Sequence, residues 1–519
     1  MTSFYEELHK SDTISDENEN AQSRASVDKW IFRLLLLLLG VMPLIVLANI
    51  EQVTSPLISN VESLASGTKG ELFTHFKSLF TLIITIIVSG LLLAKVFFMN
   101  GTIRKTYLNY VLATFAIVIV ISTIASPNIT IALSGLYNRS EGAVSWLCYI
   151  ALMFVAMNIE YPKGVIKYVM YTMIPFVFIN LFIIMMNFVG KDILQSGSIQ
   201  SFISIMLPEG AAIGQGSQLI GTLNQWNYMS GMFAIMTAMY LAWAIISKEW
   251  FETIVGAVTA SASIAILFMS ISTSGFLTFV ISLGLLIVIF IKAPMKKNAV
   301  VAVVMFIVIS APVFHILANK NDLVWKESFG FILNNNPYDK SAEKLVGHAN
   351  ILKAKKVYAE DQTFELPVLP EKGWSAGSGR MYIWGKTFDL VKKRPLLGYG
   401  LDSIMYNFPH YNIDARAGNN SENAIVDKPH NVYIGILYGT GIIGILAFVI
   451  LIIGTALQGA KAFIDKQKLP LTILFIACFA YFIQALFNDS LPGITPIAFV
   501  FMGLLIGLVK SSKNVYENI

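Results

Sequence analysis

Charged residues are scarce in this chain. Asp, Glu, Lys and Arg make up 13% of the 519 residues, whereas hydrophobic residues make up 55% and the mean hydropathy is +0.65. Soluble domains typically contain about 25% charged residues. The shortage excludes an ordinary soluble enzyme and indicates a protein with many membrane-spanning segments. The net charge is only +5 and the lysines are spread along the chain, so we expect no nucleic-acid partner.

Cysteine is scarce as well. Only Cys148 and Cys478 occur, each inside an apolar run, and we interpret both as small buried hydrophobic residues rather than as a disulfide. No group of cysteine and histidine residues has the spacing of a zinc site. The sequence therefore predicts neither a bound metal nor another cofactor.

Long hydrophobic runs, in contrast, are abundant. Twelve segments have the composition of membrane spans, and most are close to the ~20 residues that cross the hydrocarbon core. They cover residues 30–50, 78–98, 107–126, 143–158, 166–189, 228–247, 251–271, 275–292, 298–318, 431–457, 469–487 and 491–510. The expected fold class is therefore all-α, a polytopic bundle of about twelve transmembrane helices.

The distribution of lysine and arginine predicts the orientation of the bundle. If the N-terminus and every second loop share one side, the short loops of that side contain sixteen Lys and Arg residues and those of the other side contain four. Cytoplasmic loops carry such an excess. We therefore expect both termini in the cytoplasm and the one long loop outside.

These assignments divide the chain into five parts. The acid-rich residues 1–28 are expected to form a disordered cytoplasmic tail. Residues 29–318 form an N-terminal bundle of about nine spans, and residues 319–430 form a large extracytoplasmic loop with short helices. Residues 431–510 supply about three further spans, and residues 511–519 form a second cytoplasmic tail.

Ionisable side chains are nearly absent from the predicted spans. Five of the segments contain no Lys, Arg, Asp or Glu over most of their length, and His315 lies only at the outer end of its span. Ion-coupled transporters keep such side chains at membrane depth, because these side chains carry the coupling. We therefore expect any chemistry at the outer boundary between membrane and water.

Two outer loops contain candidate polar contacts. In the segment LYNRSEG, Arg139 and Glu141 are the only charges. A solvated turn capped by Ser140 would explain this segment, and so would a contact between Arg139 and an anionic substrate. Asn227 stands where a span begins, and helix capping is sufficient to explain it.

The long loop contains one predicted amphipathic helix. It follows the N-cap candidate Ser378 and ends before Pro395. An apolar stripe at helical spacing would let this helix lie on the bundle or in the membrane interface, like a lid. The stripe consists of Met381, Trp384, Phe388 and Val391.

Arg380 falls in the first turn of this helix. A guanidinium beside the free N–H groups of a helix start suits a phosphate or a diphosphate, although a snorkelling interfacial arginine is the alternative. Arg394 is fourteen residues further on, which is about 21 Å along a helix. Both arginines therefore cannot hold one diphosphate, and Arg394 better fits a helix C-terminus or lipid headgroups.

His430 opens the next span, in the sequence Pro429–His430–Asn431. A lone histidine at a helix start is often only a cap or an interfacial residue. It is also the side chain best suited to exchange a proton near neutral pH. At the level of the headgroups, a hydroxyl acceptor from solution would meet a diphosphate leaving group from the membrane.

Several motifs resemble those of a known family. His430–Asn431, nine residues and then Gly441–Ile442–Ile443–Gly444 form an HN-x9-GxxG pattern. This pattern resembles the signature of the O-antigen ligase and polymerase superfamily (Wzy/WaaL-like). Further similar elements, most of them between about residues 260 and 510, are LYNRSEG at 136–142, GTLNQWN at 221–227, SGR before Trp384, PLLGYGLD at 395–402 and ALFNDSLPGITPIAF at 485–499.

The resemblance implies a GT-C-like, metal-independent glycosyltransferase at the outer face of a bacterial cytoplasmic membrane. The implied donor is a glycan carried on undecaprenyl diphosphate, with the apolar spans holding the polyprenyl chain in the lipid bilayer. A flippase and a chain-length regulator are further expected partners. The candidate site residues are His430 as the base, Arg380, Arg139 and Arg394 for the diphosphate, and Asn431, Gly441, Gly444 and Asn227 in support.

The resemblance leaves the reaction open. Ile445 and the run Thr273–Ser274–Gly275 depart from the pattern of many relatives, so that polymerase and ligase are both possible. We prefer a polymerase of lipid-linked oligosaccharide units for a capsule or exopolysaccharide. A ligase for the finished glycan is the second choice, and a flippase of the lipid-linked sugar is the third.

Overall fold

The computed structural model of the chain describes residues 2–59, 64–208, 221–333, 335–338, 379–410 and 425–510. Nearly all regular structure in these ranges is helical, as predicted. The helices are α1 (Thr2–Val41), α2 (His75–Phe98), α3 (Tyr107–Ile124), α4 (Ile129–Ser134), α5 (Ala143–Met157), α6 (Val165–Phe188), α7 (Gly197–Ile203), α8 (Trp226–Ile246), α9 (Trp250–Met269), α10 (Thr273–Lys292), α11 (Lys296–Lys320), α12 (Leu323–Lys326), α13 (Arg380–Lys393), α14 (Ile404–Asn407), α15 (Val432–Ile464), α16 (Thr472–Gln484) and α17 (Thr495–Val509). Short 3-10 helices lie at Met42–Leu44, Ile193–Gln195, Phe329–Phe331 and Lys466–Leu471.

A β-hairpin interrupts the helical pattern between α1 and α2. Its strands, β1 (Asn49–Val53) and β2 (Gly67–Glu71), pair antiparallel with Glu51 opposite Lys69. The hairpin was not expected from the hydrophobic pattern. The first predicted span ended at residue 50, but α1 ends at Val41, because a proline two residues later cannot continue an α-helix.

Each of the twelve predicted segments overlaps a helix, which confirms a polytopic membrane protein. Within the described ranges, nine helices are long and apolar enough to cross a membrane. They are α2, α3, α6, α8, α9, α10, α11, α15 and α16 with the turn before it. The apolar helices α5 and α17 have only 15 residues each, which is about 22 Å against a hydrocarbon core of about 30 Å. The number of twelve spans stays a prediction.

Helix α8 lies at the centre of the bundle. Its apolar stretch is 100% buried by protein, whereas only 6% of the α11 stretch is buried. Its neighbours are α9, α10, α11 and α16, and α17 packs against α5 beside them. Exposed isoleucine and valine side chains on α2 and α11 form the apolar outer surface that a lipid environment requires.

The N-terminal segment differs from the expected disordered tail. The structure places residues from Thr2 onward in α1. Asp28 is buried, pairs with Lys95 Nζ at 2.7 Å and accepts a hydrogen bond from the main-chain N–H of Glu160 at 3.1 Å. These contacts could not be predicted from composition, because both partners of Asp28 are distant from it in the sequence.

Helix α13 ends before Pro395, as predicted, but it buries a different face. Met381 and Phe388 of the predicted stripe are 56% and 42% exposed. The buried side chains are Tyr382, Ile383, Thr387, Leu390 and Val391. The indole N–H of Trp384 donates to the carbonyl of Pro429 at 2.7 Å, which fixes the rotation of the helix about its axis. Ser378, the proposed N-cap, lies outside the described residues.

Helix α15 is broken at Gly441. The glycine has φ 68° and ψ −167° inside an otherwise regular helix of 33 residues. A Cβ at this position would overlap the main chain of Leu396 and lie 2.7 Å from the nitrogen of Leu397. Only glycine allows both the left-handed conformation and this close approach.

The segment from Pro395 to Gly400 pairs with the main-chain groups that the break leaves free. Three hydrogen bonds join the two segments, from Ile442 N to Pro395 O (2.8 Å), from Tyr399 N to Tyr438 O (3.0 Å) and from Gly400 N to Gly439 O (2.9 Å). The phenol rings of Tyr399 and Tyr438 stack at 5.3 Å. The PLLGYG motif and the GxxG motif therefore form one structural unit, which we call the α15 clamp.

We expect Gly441→Ala to destabilise the protein by more than the roughly 1–3 kcal/mol of a strained left-handed residue, because the overlap with Leu396 adds to that strain. Thermal unfolding of the full chain in detergent measures the effect. Gly284→Ala is the matched control, since Gly284 lies in α10 with no atom within 4 Å of an added Cβ. The control should retain or slightly raise the melting temperature. Equal melting temperatures for the two variants would contradict the clamp.

Candidate active site

Arg139 forms a buried ion pair with Asp402. Its Nε lies 2.7 Å from Asp402 Oδ1, and the two side chains are 8% and 2% exposed. Asp402 Oδ2 also accepts a hydrogen bond from the main-chain N–H of Leu136 at 2.8 Å. Burial alone would lower the pKa of Arg139, but the carboxylates of Asp402 and Asp489 raise it above its ordinary value, so the guanidinium stays charged.

One donor of Arg139 faces no protein acceptor. Within the described ranges, its Nη1 is buried without a hydrogen-bond partner. A buried and unpaired charged donor is costly unless a ligand or water satisfies it. The geometry thus suits contact with an anionic group, the role predicted for Arg139, while Asp402 holds the opposite side of the guanidinium.

His430 is oriented by a buried aspartate. Its Nδ1 lies 3.3 Å from Asp489 Oδ2, and the imidazole is 28% exposed against 4% for the carboxylate. Burial would raise the pKa of Asp489, but the hydrogen bond from His430 and the charges of Arg139 and Lys428 hold it well below its usual range. An ionised aspartate on Nδ1 leaves Nε2 free to accept a proton.

Asn431 joins the start of α15 to the segment that carries Asp489. Its Oδ1 accepts from the N–H of Ile434 at 3.1 Å as an N-cap, and its Nδ2 donates to Leu486 O at 3.0 Å. Asn227, at the start of α8, fastens the same segment, because its carbonyl accepts from Gln484 Nε2 and Asn488 Nδ2 at 3.4 Å each. Both asparagines therefore fix the neighbourhood of the His430–Asp489 pair.

The two predicted glycines have structural positions. Gly441 forms the break in the α15 clamp. A Cβ at Gly444 would collide with the side chain of Thr440 one turn earlier. Both glycines lie in α15 and set the path of the helix that begins two residues after His430.

The structure separates the arginines of α13. Arg380 is the first residue of the helix and Arg394 follows its last, so that the helix length keeps them apart as expected. Arg394 is exposed, donates from Nη1 to the carbonyl of Ala125 at 3.0 Å and covers the ring of Tyr399 at 5.0 Å. It thus caps the C-terminus of α3. A role for Arg394 in diphosphate binding stays a prediction without support from this placement.

Arg380, in contrast, lies within electrostatic range of the same aspartate as His430. Burial lowers its pKa from the ordinary value, and the charge of Asp489 and the phenol of Tyr228 oppose that change. Arginine remains charged despite such shifts. Asp489 is therefore the common electrostatic neighbour of Arg139, Arg380 and His430.

Lys428 is a site residue that the motifs did not reveal. Its Nζ is buried 3.7 Å from Asp427 Oδ2 and 3.4 Å from Gln225 Oε1, and it lies over the ring of Tyr228 at 5.4 Å. Burial would lower the pKa of Lys428, but Asp427 raises it above the ordinary value. The available signal was its place two residues before His430. Asp402 and Asp489 lie inside the motifs at 395–402 and 485–499, which did not mark them as site residues.

A small cavity lies among the buried members of this set, whereas His430 and Arg380 are not among its lining residues. Its volume is about 30 Å³, which is room for about one water molecule. Four carboxyl groups line it, from Glu141, Asp402, Asp427 and Asp489, together with Arg139 and Lys428. These carboxyl groups come from segments that are distant in the chain. In the described ranges, no three His, Cys, Asp or Glu side chains form a group that could hold a metal.

Glu141 is the acidic residue with the most unusual proton affinity. It is 1% exposed, and its Oε1 accepts a hydrogen bond from the hydroxyl of Tyr149 at 2.6 Å. Burial raises the pKa of Glu141 to about 8, although hydrogen bonds from Ser490 and Tyr149 act in the opposite direction. At neutral pH the folded protein therefore holds Glu141 as the neutral acid.

The raised pKa predicts how stability depends on pH. Below the ordinary value of 4.5, Glu141 is protonated in both states and makes no difference. Between 4.5 and about 8 the unfolded chain releases this proton and the folded chain keeps it, so folding loses stability as pH rises. Glu141→Gln mimics the neutral acid. The melting temperature of Glu141→Gln minus that of the parent chain should therefore increase from about pH 5 to pH 8 and then stay constant.

Thermal unfolding in detergent across this pH range provides the measurement. Glu249→Gln is the control, because Glu249 is exposed at the opposite end of the bundle and surface substitutions change stability by about 0.5 kcal/mol or less. A Glu141→Gln difference that stays constant over the range would show that the carboxyl is ionised in the folded protein.

Comparison with known proteins agrees with the motifs. Residues 258–449 match the family model described as O-antigen ligase. The matched range contains Arg380, His430, Asn431, Gly441 and Gly444, whereas Arg139 and Asp489 lie on either side of it. A comparison with curated proteins finds no match. Over residues 258–449, this polytopic membrane protein is therefore similar to the O-antigen ligase family, in agreement with the resemblance of its motifs.

Proposed function

We propose that the protein is a glycosyltransferase that polymerises oligosaccharide units carried on a polyprenyl diphosphate at the outer face of the cytoplasmic membrane. One observation carries the proposal. His430 lies 3.3 Å from Asp489, and the same aspartate is an electrostatic neighbour of the buried Arg139 and the half-buried Arg380. A proton acceptor and cationic anion-binding groups are the two requirements for transfer from a diphosphate leaving group to a hydroxyl acceptor.

His430 acts as the base in this reaction. The acceptor hydroxyl donates its proton to Nε2, and its oxygen forms the new bond to the anomeric carbon of the donor sugar. Asp489 keeps Nδ1 protonated and stabilises the imidazolium that results, because it is ionised and only 3.3 Å away. The exposed fraction of the imidazole lets an acceptor reach it from the surface.

The arginines stabilise the leaving group. The bond between the anomeric carbon and the diphosphate oxygen breaks as the new bond forms, and negative charge develops on the diphosphate. Arg380 offers a half-buried guanidinium with no ion pair among the described residues, and Arg139 offers its unpaired Nη1. Preorganised cationic donors in a poorly hydrated site stabilise such charge strongly.

A ligase that transfers the finished glycan to another acceptor is the alternative within the same family, since the same groups would serve it. A flippase is less favoured, because the charged groups are gathered at one end of the bundle. The glycan profile of a deletion strain separates these functions. Loss of long chains supports the polymerase, free long chains support the ligase, and lipid-linked single units retained on the inner leaflet support the flippase.

Replacing His430 by Ala should reduce product formation by roughly 10²–10⁴-fold, the contribution of a general base, while the protein remains in the membrane. Asp489→Asn should cause a smaller loss, because the histidine remains but its imidazolium loses a charged partner. Incorporation of labelled sugar into polymer in a membrane preparation measures both.

The controls are residues of the same types on exposed parts of the bundle. His315→Ala removes a histidine that contacts only Tyr338 at 3.1 Å among the described residues, and Asp389→Asn removes an exposed partner of Lys392. Both controls should retain activity. Full activity of a membrane-inserted His430→Ala variant would remove the proposed base.

Arg380→Lys should lower activity by about 10- to 100-fold, because an ammonium cannot form the bidentate contact of a guanidinium. The loss of one charge-assisted hydrogen bond costs roughly 1.5–3 kcal/mol. The same assay measures this loss. Arg33→Lys is the control, since Arg33 is exposed on α1 and covers the ring of Trp30 at 4.9 Å. An active Arg380→Lys variant would reassign Arg380 to anchoring α13 at the membrane surface.

A further inference from the structure

Two larger cavities lie beside the Arg139–Asp402 ion pair. Their volumes are about 410 Å³ and 370 Å³, within the usual range of ligand sites of about 300–1,000 Å³. They share one wall, formed by Glu51 of the hairpin and residues 134–137 at the end of α4. We call the two together the hairpin groove. We call the cavity of about 30 Å³ lined by Arg139, Asp402 and Asp489 the reaction cavity. It is much smaller than the hairpin groove and has room for about one water molecule.

The lining of the hairpin groove combines apolar and polar side chains and is almost uncharged. It contains side-chain amides, hydroxyls and phenols, including Gln52, Asn128, Thr130, Tyr137 and Tyr406. Hydroxyl and amide groups both donate and accept hydrogen bonds, as sugar hydroxyls do, and tyrosine combines an apolar ring with a polar end. These polar side chains fit a carbohydrate, whereas a lipid chain would leave them without hydrogen-bond partners.

The few charges of the groove argue against an anion. Glu51 and His75 are its ionisable side chains apart from tyrosine, and no Lys or Arg lines either cavity in the described part of the chain. The cation opposite Glu51 is Lys69, which lies over the ring of Tyr137 at 5.5 Å. A diphosphate would therefore find no lining Lys or Arg here among the described residues, whereas the reaction cavity has Arg139 and Lys428 beside its four carboxyl groups.

The groove and the reaction cavity share a partition. Tyr137 stands two residues before Arg139, and Tyr406 stands four residues after Asp402. Between these positions the main-chain N–H of Leu136 donates to Asp402 at 2.8 Å, and Leu136 packs with Tyr406 in one apolar cluster. A ligand in the groove therefore lies directly behind the ion pair that faces the reaction.

We propose that the hairpin groove binds the saccharide part of the substrate, as a subsite for neutral sugar residues next to the reaction site. The inference rests on the proposed function, which supplies the reason for a glycan at this surface. Phosphate groups are bound at Arg139 and Arg380, and sugar hydroxyls are bound at the groove, so the two ends of a lipid-linked glycan have separate recognition.

Ser134 offers a way to block the groove. It lines both cavities, is exposed, and its hydroxyl donates only to main-chain carbonyls of Thr130 and Gly135. Ser134→Trp fills the groove without removing a buried contact. The matched control is Ser201→Trp, because Ser201 is also exposed and its hydroxyl also donates to the carbonyl four residues earlier, Gly197.

The test measures binding of neutral oligosaccharides, released by mild acid from the surface polysaccharide of the source cell, to the full-length protein in lipid nanodiscs. Isothermal titration should show binding by the parent chain and by Ser201→Trp, and at least a ~10-fold weaker affinity for Ser134→Trp. Equal affinity for all three, no binding by the parent chain, or displacement of the oligosaccharide by inorganic diphosphate would overturn the assignment. If Ser134→Trp does not fold, Asn128→Trp takes its place, because Asn128 lines only the cavity of about 370 Å³.

The His430→Ala variant separates this inference from the proposed function. It should bind the oligosaccharides as the parent chain does, because His430 lines neither cavity of the groove. If His430→Ala remains fully active while Ser134→Trp loses binding, the proposed base is wrong and the saccharide subsite stands. If His430→Ala is inactive and Ser134→Trp binds normally, the subsite is wrong and the transferase stands.

Discussion

The break in α15 at Gly441 is the constraint on which the geometry of the site depends. A continuous helix would satisfy its own main-chain groups and leave the segment after α13 without partners. The break instead pairs Pro395, Tyr399 and Gly400 with the helix. Asp402 follows this paired segment directly and is thereby placed against Arg139, while the same helix begins two residues after His430. One local departure from helical geometry thus positions both halves of the site.

The buried charges of the site hold one another in place. An isolated ion is costly to bury, so cations and carboxylates taken out of water must be matched. Arg139 is matched by Asp402, Lys428 by Asp427 and His430 by Asp489, and Glu141 avoids the cost by remaining protonated. This matching explains how so many ionisable groups persist beside an apolar bundle. Removing the charge of one member of such a pair leaves the buried charge of the other member unpaired. Variants that remove a charge therefore change the stability of the protein as well as its activity.

Sequence patterns predicted the helices well because hydrophobic length is a local property. The same patterns selected His430 and the glycines as candidates through spacing, and helix length correctly separated Arg380 from Arg394. The carboxylate partners were missed because their roles arise only when distant segments meet. Asp489 is 59 residues from His430, and Asp402 is 263 residues from Arg139. The apolar stripe of α13 was partly wrong for a related reason, since a hydrogen bond from Trp384 to Pro429, 45 residues away, sets the rotation of that helix.

The sizes of the cavities fit separate roles in the proposed transfer reaction, with the diphosphate bound at the reaction cavity and the sugars at the hairpin groove. A cavity of about 30 Å³ lined by matched charges excludes bulk water, and a low-dielectric environment strengthens each electrostatic contact to a developing charge. Such a space is too small to recognise a sugar. The hairpin groove is more than ten times larger and nearly uncharged, so it can hold sugar residues without competing for the phosphate. The partition of residues 134–140 belongs to both, because it carries Arg139 on one side and Tyr137 on the other. Binding of a glycan and alignment of the arginine are then mechanically linked, since neither side of a short packed loop can shift without the other.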